Sequence, residues 1–150
     1  MATTVKTATL YRAEIGNIPG TLAEALKPLA AAGADLQVVM AYRIPGDRAR
    51  AAVEVYPISG KKSRAAAQTA GLSPMDAPML LVSGDNKPGL GSRIAEGMAA
   101  AGINMSYLVA QVTGRKYSAV FGFENEADAK RAAGVIKRAS APPRTAGKRR

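Results

Sequence analysis

The sequence predicts an α+β protein made of two tandem βαββα units, each an antiparallel sheet with helices on one face. Two observations carry this reading. First, Asn17-Ile18-Pro19-Gly20 and Asn86-Lys87-Pro88-Gly89 share Asn, Pro and Gly in register, and Ala30-Ala31-Ala32-Gly33 recurs as Ala99-Ala100-Ala101-Gly102, all at one offset of 69 residues. Such self-similarity at a fixed period marks an internal duplication. Second, each half passes from β-compatible residues to helical spacing and back to alternation. The 150 residues divide into units of about 70, a size at which an isolated domain buries only about 60% of its chain surface. The halves are therefore expected to share a sheet or a packed face.

Residues Thr4 to Ile15 read as one strand, with Val5, Thr7, Thr9, Tyr11 and Ala13 on one parity and Ala8 and Leu10 on the other. Asn17-Ile18-Pro19-Gly20 breaks it, and Pro19 suits a first helical turn, where a missing N–H costs nothing. Leu22, Ala25, Leu26, Leu29 and Ala32 then fall at helical spacing, and Gly33 closes the helix. Pro28 inside it is expected to bend it near Glu24. Leu36 to Arg43 and Ala51 to Ile58 make two strands around the turn Ile44-Pro45-Gly46-Asp47, with Val53 and Val55 alternating against Glu54 and Tyr56. A weak amphipathic helix spans Lys61 to Ala70. Leu72 to Ala77, bracketed by Pro74 and Pro78, reads as a vestigial fourth strand at a sheet edge.

The second unit opens with Met79 to Ser83. Its first helix shows Leu90, Ile94, Met98 and Ala101 on one face, weakened by Gly97. Ile103 to Thr113 pairs with Tyr117 to Phe123, and Tyr117, Ala119, Phe121 and Phe123 share the parity that faces the helices. Asn125, with Asp128 three residues on, caps a last helix whose stripe is Ala129, Ala132, Ala133 and Ile136. No fourth strand is visible in this half. The fold class is thus two tandem ferredoxin-like βαββα(β) units, over residues 1–74 and 75–139, followed by a basic tail over 140–150.

Composition removes several function classes. Apolar residues make up 47% of the chain, which is globular and not disordered. Cysteine and histidine are absent, which removes disulfides, thiolate nucleophiles, the usual zinc sites and imidazole acid–base chemistry. Acidic residues are scattered singly, giving no paired carboxylates. No catalytic constellation emerges, and neither an enzyme, a cofactor nor a metal site is expected. No apolar run reaches the length of a membrane span, and the first residues lack the layout of a signal peptide, so a cytoplasmic location is expected. Of the net charge of +10, residues 137–150 supply +6 through Lys137, Arg138, Arg144, Lys148, Arg149 and Arg150. The basicity is mostly a tail.

Strand, Asn-x-Pro-Gly, amphipathic helix, Ala-Gly, hairpin and helix together resemble the ACT domain, a small ligand-binding regulatory module. The resemblance covers about residues 7–139 as two copies. It is stronger in the second, where Asn86-Lys87-Pro88-Gly89-Leu90, Ala101-Gly102-Ile103-Asn104 and Phe121-Gly122-Phe123-Glu124 sit where the family has their like. It implies binding of a free amino acid, or a similar small carboxylate, at an interface between two such domains, with contacts from the strand-to-helix loop and the head of the second strand. Gly89 would permit close backbone approach, the N–H groups opening the helix would receive a carboxylate, and Asn86 offers both donor and acceptor. Lys87, Pro88 and Leu90 complete the loop. Asn104 matches a position that contacts the effector in phosphoglycerate dehydrogenases. In the first copy the corresponding residues are Asn17, Ile18, Gly20 and Asp35, and Asp35 would pair an ammonium where Asn104 would hydrogen-bond. The resemblance also implies a homodimer and an enzyme or regulator that reads the ligand-dependent change at the interfaces.

Two other readings stay open. A pair of such units serves equally as a purely structural dimerisation module. RNA-recognition motifs also use a βαββαβ scaffold, and Lys116-Tyr117-Ser118-Ala119-Val120-Phe121 lies where they carry stacking aromatics. Ala119 replaces one of those aromatics, however, and Met79-Leu80-Leu81-Val82 supplies none, so only the basic tail favours nucleic acid. Gly84-Asp85-Asn86-Lys87-Pro88-Gly89 is no P-loop, because its lysine precedes the second glycine and Pro88 removes a donor. Gly89-Leu90-Gly91 lacks the third glycine of a dinucleotide fingerprint, with Ile94 in its place.

Overall fold

The computed structural model describes residues 3–142; the tail from residue 143 onward lies outside the described residues. In chain order the elements are β1 Thr4–Ala8, β2 Tyr11–Gly16, α1 Thr21–Ala31, β3 Val38–Arg43, β4 Arg50–Tyr56, α2 Lys61–Thr69, β5 Ser73–Pro74, β6 Met79–Asp85, α3 Leu90–Ala100, β7 Tyr107–Thr113, β8 Lys116–Gly122 and α4 Glu126–Ser140. They form two four-stranded sheets, ordered β3-β4-β2-β5 and β1-β6-β8-β7. Each unit is α+β, as the pattern of elements predicts.

The first strand is a correction. Residues 4–15 are not one strand but two, separated at Thr9 and Leu10, and β1 joins the sheet of the second copy beside β6. Residues 8–78 form one compact unit, and the described residues 3–7 group with 79–142. Both copies thereby acquire a fourth strand. The first uses the two-residue β5, which pairs Ser73 and Pro74 with Arg12 and Tyr11. The second borrows β1. Periodicity could not show this, because a strand's alternation specifies its two faces and not the sheet it joins.

In the second unit, Leu80, Val82, Tyr117, Ala119 and Phe121 from the sheet meet Leu90, Ile94 and Met98 of α3 and Ala129, Ala132, Val135 and Ile136 of α4 in one core. The parity assigned to Tyr117, Ala119, Phe121 and Phe123 holds. Asn125 caps α4 by accepting a 2.8 Å hydrogen bond from the Asp128 amide. The strand expected from Ile103 begins only at Tyr107, and Ile103 is instead a buried anchor after the helix. In the first unit, Ala25 and Leu29 of α1, Ala67 of α2 and Leu72 pack on Ala13, Val53 and Val55. Pro28 lies inside α1, which continues through it to Ala31.

Alternation misleads in β4, where Glu54 and Tyr56 are as buried as Val53 and Val55. Glu54 is 1% exposed, opposite Arg12 on β2 and Met40 on β3. Its Oε1 lies 3.6 Å from Arg12 Nε, while Oε2 has no hydrogen-bond partner. Burial raises this carboxyl above the usual 4.5, against the opposing pull of the Arg12 guanidinium and a hydrogen bond from Tyr42. A carboxyl whose folded value is raised binds more protons folded than unfolded. Stability is then fullest below the unfolded value and is lost as pH rises through the folded one. Urea melts from about pH 4 to about pH 8 should show this decline, and Glu54→Gln should flatten it. An equal slope in the variant would assign the decline to other groups.

Candidate ligand-binding site

The two Asn-x-Pro-Gly loops are built alike in their backbones. Gly20 and Gly89 stand at the N-terminal ends of α1 and α3 with φ of 96° and 81°, the left-handed conformation that disfavours any residue with a Cβ. Each loop is pinned to the hairpin of its own unit through the asparagine amide: Asn17 N–H donates to the Ala49 carbonyl at 2.9 Å, and Asn86 N–H to the Arg115 carbonyl at 2.8 Å. Neither helix is capped by a side chain. First-turn amides of both helices are thereby left without intrahelical partners.

The side chains separate the copies. Asn17 Nδ2 donates to the Arg48 carbonyl at 2.9 Å, which commits its amide to the fold. The Thr21 hydroxyl reaches the carbonyls of Gly16 at 2.7 Å and Ile18 at 2.9 Å, closing the loop further. Ile18 is 68% exposed and Asp35 is exposed. In the second copy the position of Thr21 is taken by Leu90, and the Asn86 side chain makes no hydrogen bond among the described residues. It lines a cavity of about 270 Å³ instead.

That cavity lies between the opening of α3 and the β7–β8 hairpin. The loop and α3 contribute Asn86, Leu90, Gly91 and Ile94; β7 contributes Leu108, Ala110, Gln111 and Val112; β8 contributes Tyr117, Ala119 and Phe121. Its lining carries no acid and no basic side chain. The polar side chains that face it are the Asn86 amide and the Tyr117 phenol; Gln111, between Ala110 and Val112, turns its side chain to the opposite face of the sheet and borders the cavity only through its backbone. The residues expected at a site divide around it. Asn86 and Leu90 line it, and Gly89 sets the helix opening beside it. Lys87 faces a neighbouring concavity with Asp85 and Lys137, and Pro88 is exposed. Asn104 is exposed and is not among the lining residues.

Tyr117 is the cavity residue that sequence reasoning misses, because in the sequence it reads only as an inward-facing aromatic. Tyr117 is 8% exposed, and its hydroxyl is buried without a hydrogen-bond partner. An unpaired buried hydroxyl costs about 1–3 kcal/mol. Tyr117→Phe should therefore raise the stability of the unliganded protein by about 1 kcal/mol in chemical denaturation. A loss of stability would mean that the hydroxyl is satisfied in solution. The same burial bears on nucleic acid: Tyr117 and Phe121, at 8% and 2% exposed, lie on the helix side of the sheet and not on its other face, where a base would stack.

Among the described residues, no group of three or more acidic, histidine or cysteine side chains is placed to hold a metal ion. No helix among them is long and apolar enough to cross a membrane.

The two units, each with its strand–loop–helix corner, are ferredoxin-like α+β sandwiches with antiparallel sheets. Solved structures carry the same arrangement. The chain matches protein BT0572 from Bacteroides thetaiotaomicron at a TM-score of 0.72 and 16% identity, over 89% of each chain. It matches the ligand-free regulatory subunit of aspartate kinase from Thermus thermophilus at a TM-score of 0.63 and 15% identity, over 94% of this chain and 98% of that one. Against the allosteric aspartate kinase of Clostridium acetobutylicum the TM-score is 0.61 and the identity 14%, over 93% of this chain but 34% of the enzyme. At such identities the likeness is one of fold. No family model matches the chain, and no curated protein does so by sequence.

Proposed function

We propose that this chain is a regulatory protein that binds a free amino acid, or a similar small carboxylate, in the cavity of its second unit. The observation that carries the reading is the contrast between the two asparagines. Asn17 spends its side chain on the Arg48 carbonyl, whereas Asn86 keeps both amide donor and acceptor for the cavity it lines. The uncapped opening of α3 supplies N–H groups and positive potential for a carboxylate. A volume of about 270 Å³ suits a ligand of a few heavy atoms better than a nucleotide. The fold supports the regulatory part of the reading, since matched structures are regulatory subunits or domains of aspartate kinases.

Regulation would proceed by population shift, the ligand favouring the arrangement that binds it better. Strand β7 is an edge strand with Leu108, Val109 and Val112 each about half exposed, which favours a homodimer over an isolated chain. A partner enzyme or regulator would read the liganded state.

A thermal-shift and calorimetric screen against the twenty amino acids tests this. At 100 times its dissociation constant a ligand should add about 2.7 kcal/mol to stability, with one molecule bound per chain because only the second copy offers a free asparagine. A flat screen at millimolar concentrations would replace this proposal with the purely structural dimerisation module. Two molecules per chain would restore the first copy as a site.

A further inference from the structure

We infer that the cavity selects an amino acid with an uncharged, apolar side chain; this rests on the reading above that the cavity is an amino-acid site. The strand register orders the cavity from end to end. Val112 lies opposite Tyr117, Ala110 opposite Ala119, and Leu108 opposite Phe121. Along α3, Gly91 precedes Ile94 by nearly one turn. Asn86, Gly91 and Tyr117 therefore mark the hairpin end, where the helix opens, and Ile94, Leu108 and Phe121 mark the other.

A backbone carboxylate and ammonium find their partners only at the hairpin end. The N–H groups opening α3 receive the carboxylate, and the side-chain carbonyl of Asn86 and the unpartnered hydroxyl oxygen of Tyr117 accept from the ammonium. The side chain then runs toward Ile94 and Phe121, along a wall of Ala110 and Ala119. At that end no lining side chain carries a charge or a hydrogen-bonding group. An ammonium or carboxylate laid against the buried Ile94 and Phe121 loses water on that side and gains no partner, whereas an aliphatic or thioether chain loses water favourably. Opposite effects at the two ends make the cavity a discriminator of side-chain charge. Methionine and lysine are of similar length and differ in the one property the far end reads.

Titration calorimetry with valine, leucine, isoleucine, methionine and phenylalanine, against lysine and glutamate, reads this directly. The tightest neutral ligand should exceed both charged ones by roughly a hundredfold. Lysine or glutamate binding as tightly as methionine would overturn the inference while leaving amino-acid binding intact. Silence from all twenty amino acids would overturn the reading beneath it. Ala110→Asp provides a second measurement, because Ala110 is exposed on an edge strand and its replacement spares the core. In that variant the preference for methionine over lysine should fall at least about tenfold. An unchanged preference would show that the side chain does not pass Ala110.

Discussion

Gly122→Ala should destabilise the second unit by about 1–3 kcal/mol, although local propensity argues the other way. Glycine inside a strand costs roughly 0.5–1 kcal/mol relative to alanine, so the substitution would gain stability in an open strand. Gly122 is not in an open strand. It lies on β8 opposite Met79 of β6 and Tyr107 of β7, and a Cβ there would overlap three atoms of the Tyr107 ring. The ring has to leave, and it stands at the first residue of the edge strand β7, where the Ser106 amide donates to the Gly122 carbonyl at 2.8 Å. The same strand carries Leu108, Ala110 and Val112, one wall of the cavity. Gly122→Ala should therefore weaken ligand binding as well as the fold. The measurement is a double-mutant cycle by urea unfolding with Tyr107→Ala. Because the clash needs both groups, the double variant should be more stable than the sum of the singles by about 0.5–3 kcal/mol. Strict additivity would mean that the ring does not occupy that space.

Local signals in the sequence identify every element whose logic is local. The two loop glycines, the stripe of α4, the Asn125 cap and the inward parity of Tyr117 to Phe123 are all readable because neighbours within a few residues determine them. Long-range features are not. The transfer of β1 into the second sheet depends on which edge is vacant, and nothing in Thr4 to Ala8 records that. Glu54 alternates with valines as a solvent-facing residue would, yet β4 is central in its sheet, with Arg12 and Tyr42 from the flanking strands against the carboxylate. Gly97 reads as a weak point of α3, whereas a Cβ there would lie 2.7 Å from Val135 Cγ1, so the residue admits α4. The candidate site divides on the same line. Asn86 and Leu90 adjoin the loop that the repeat picks out, while Leu108, Ala110 and Val112 are brought opposite Tyr117, Ala119 and Phe121 only by the pairing of β7 with β8. Asn104 rests on the resemblance alone, and in the structure it is exposed and not among the residues that line the cavity.

Asn86→Ala and Asn17→Ala should have opposite consequences, although the two residues are equivalent in the repeat. Asn17 Nδ2 ties the loop to the Arg48 carbonyl, a net contribution of about 0.5–1.5 kcal/mol for an ordinary hydrogen bond. Its removal should lower stability by that amount and leave ligand affinity unchanged. Asn86 holds its loop through the backbone, which alanine preserves, so stability should stay within about 0.5 kcal/mol of wild type. What alanine removes is the amide that faces the cavity. A hydrogen bond to a charged ligand group is worth about 1.5–3 kcal/mol, so affinity should fall roughly 10- to 100-fold. Urea unfolding and calorimetry on both variants measure the two quantities separately. Equal effects on affinity would restore the symmetry of the two copies. A stability loss in Asn86→Ala as large as that in Asn17→Ala would make both asparagines structural and move the site elsewhere. A duplicated loop has a backbone need in each copy but a side-chain need in only one, and that leaves the other asparagine free to recognise a ligand.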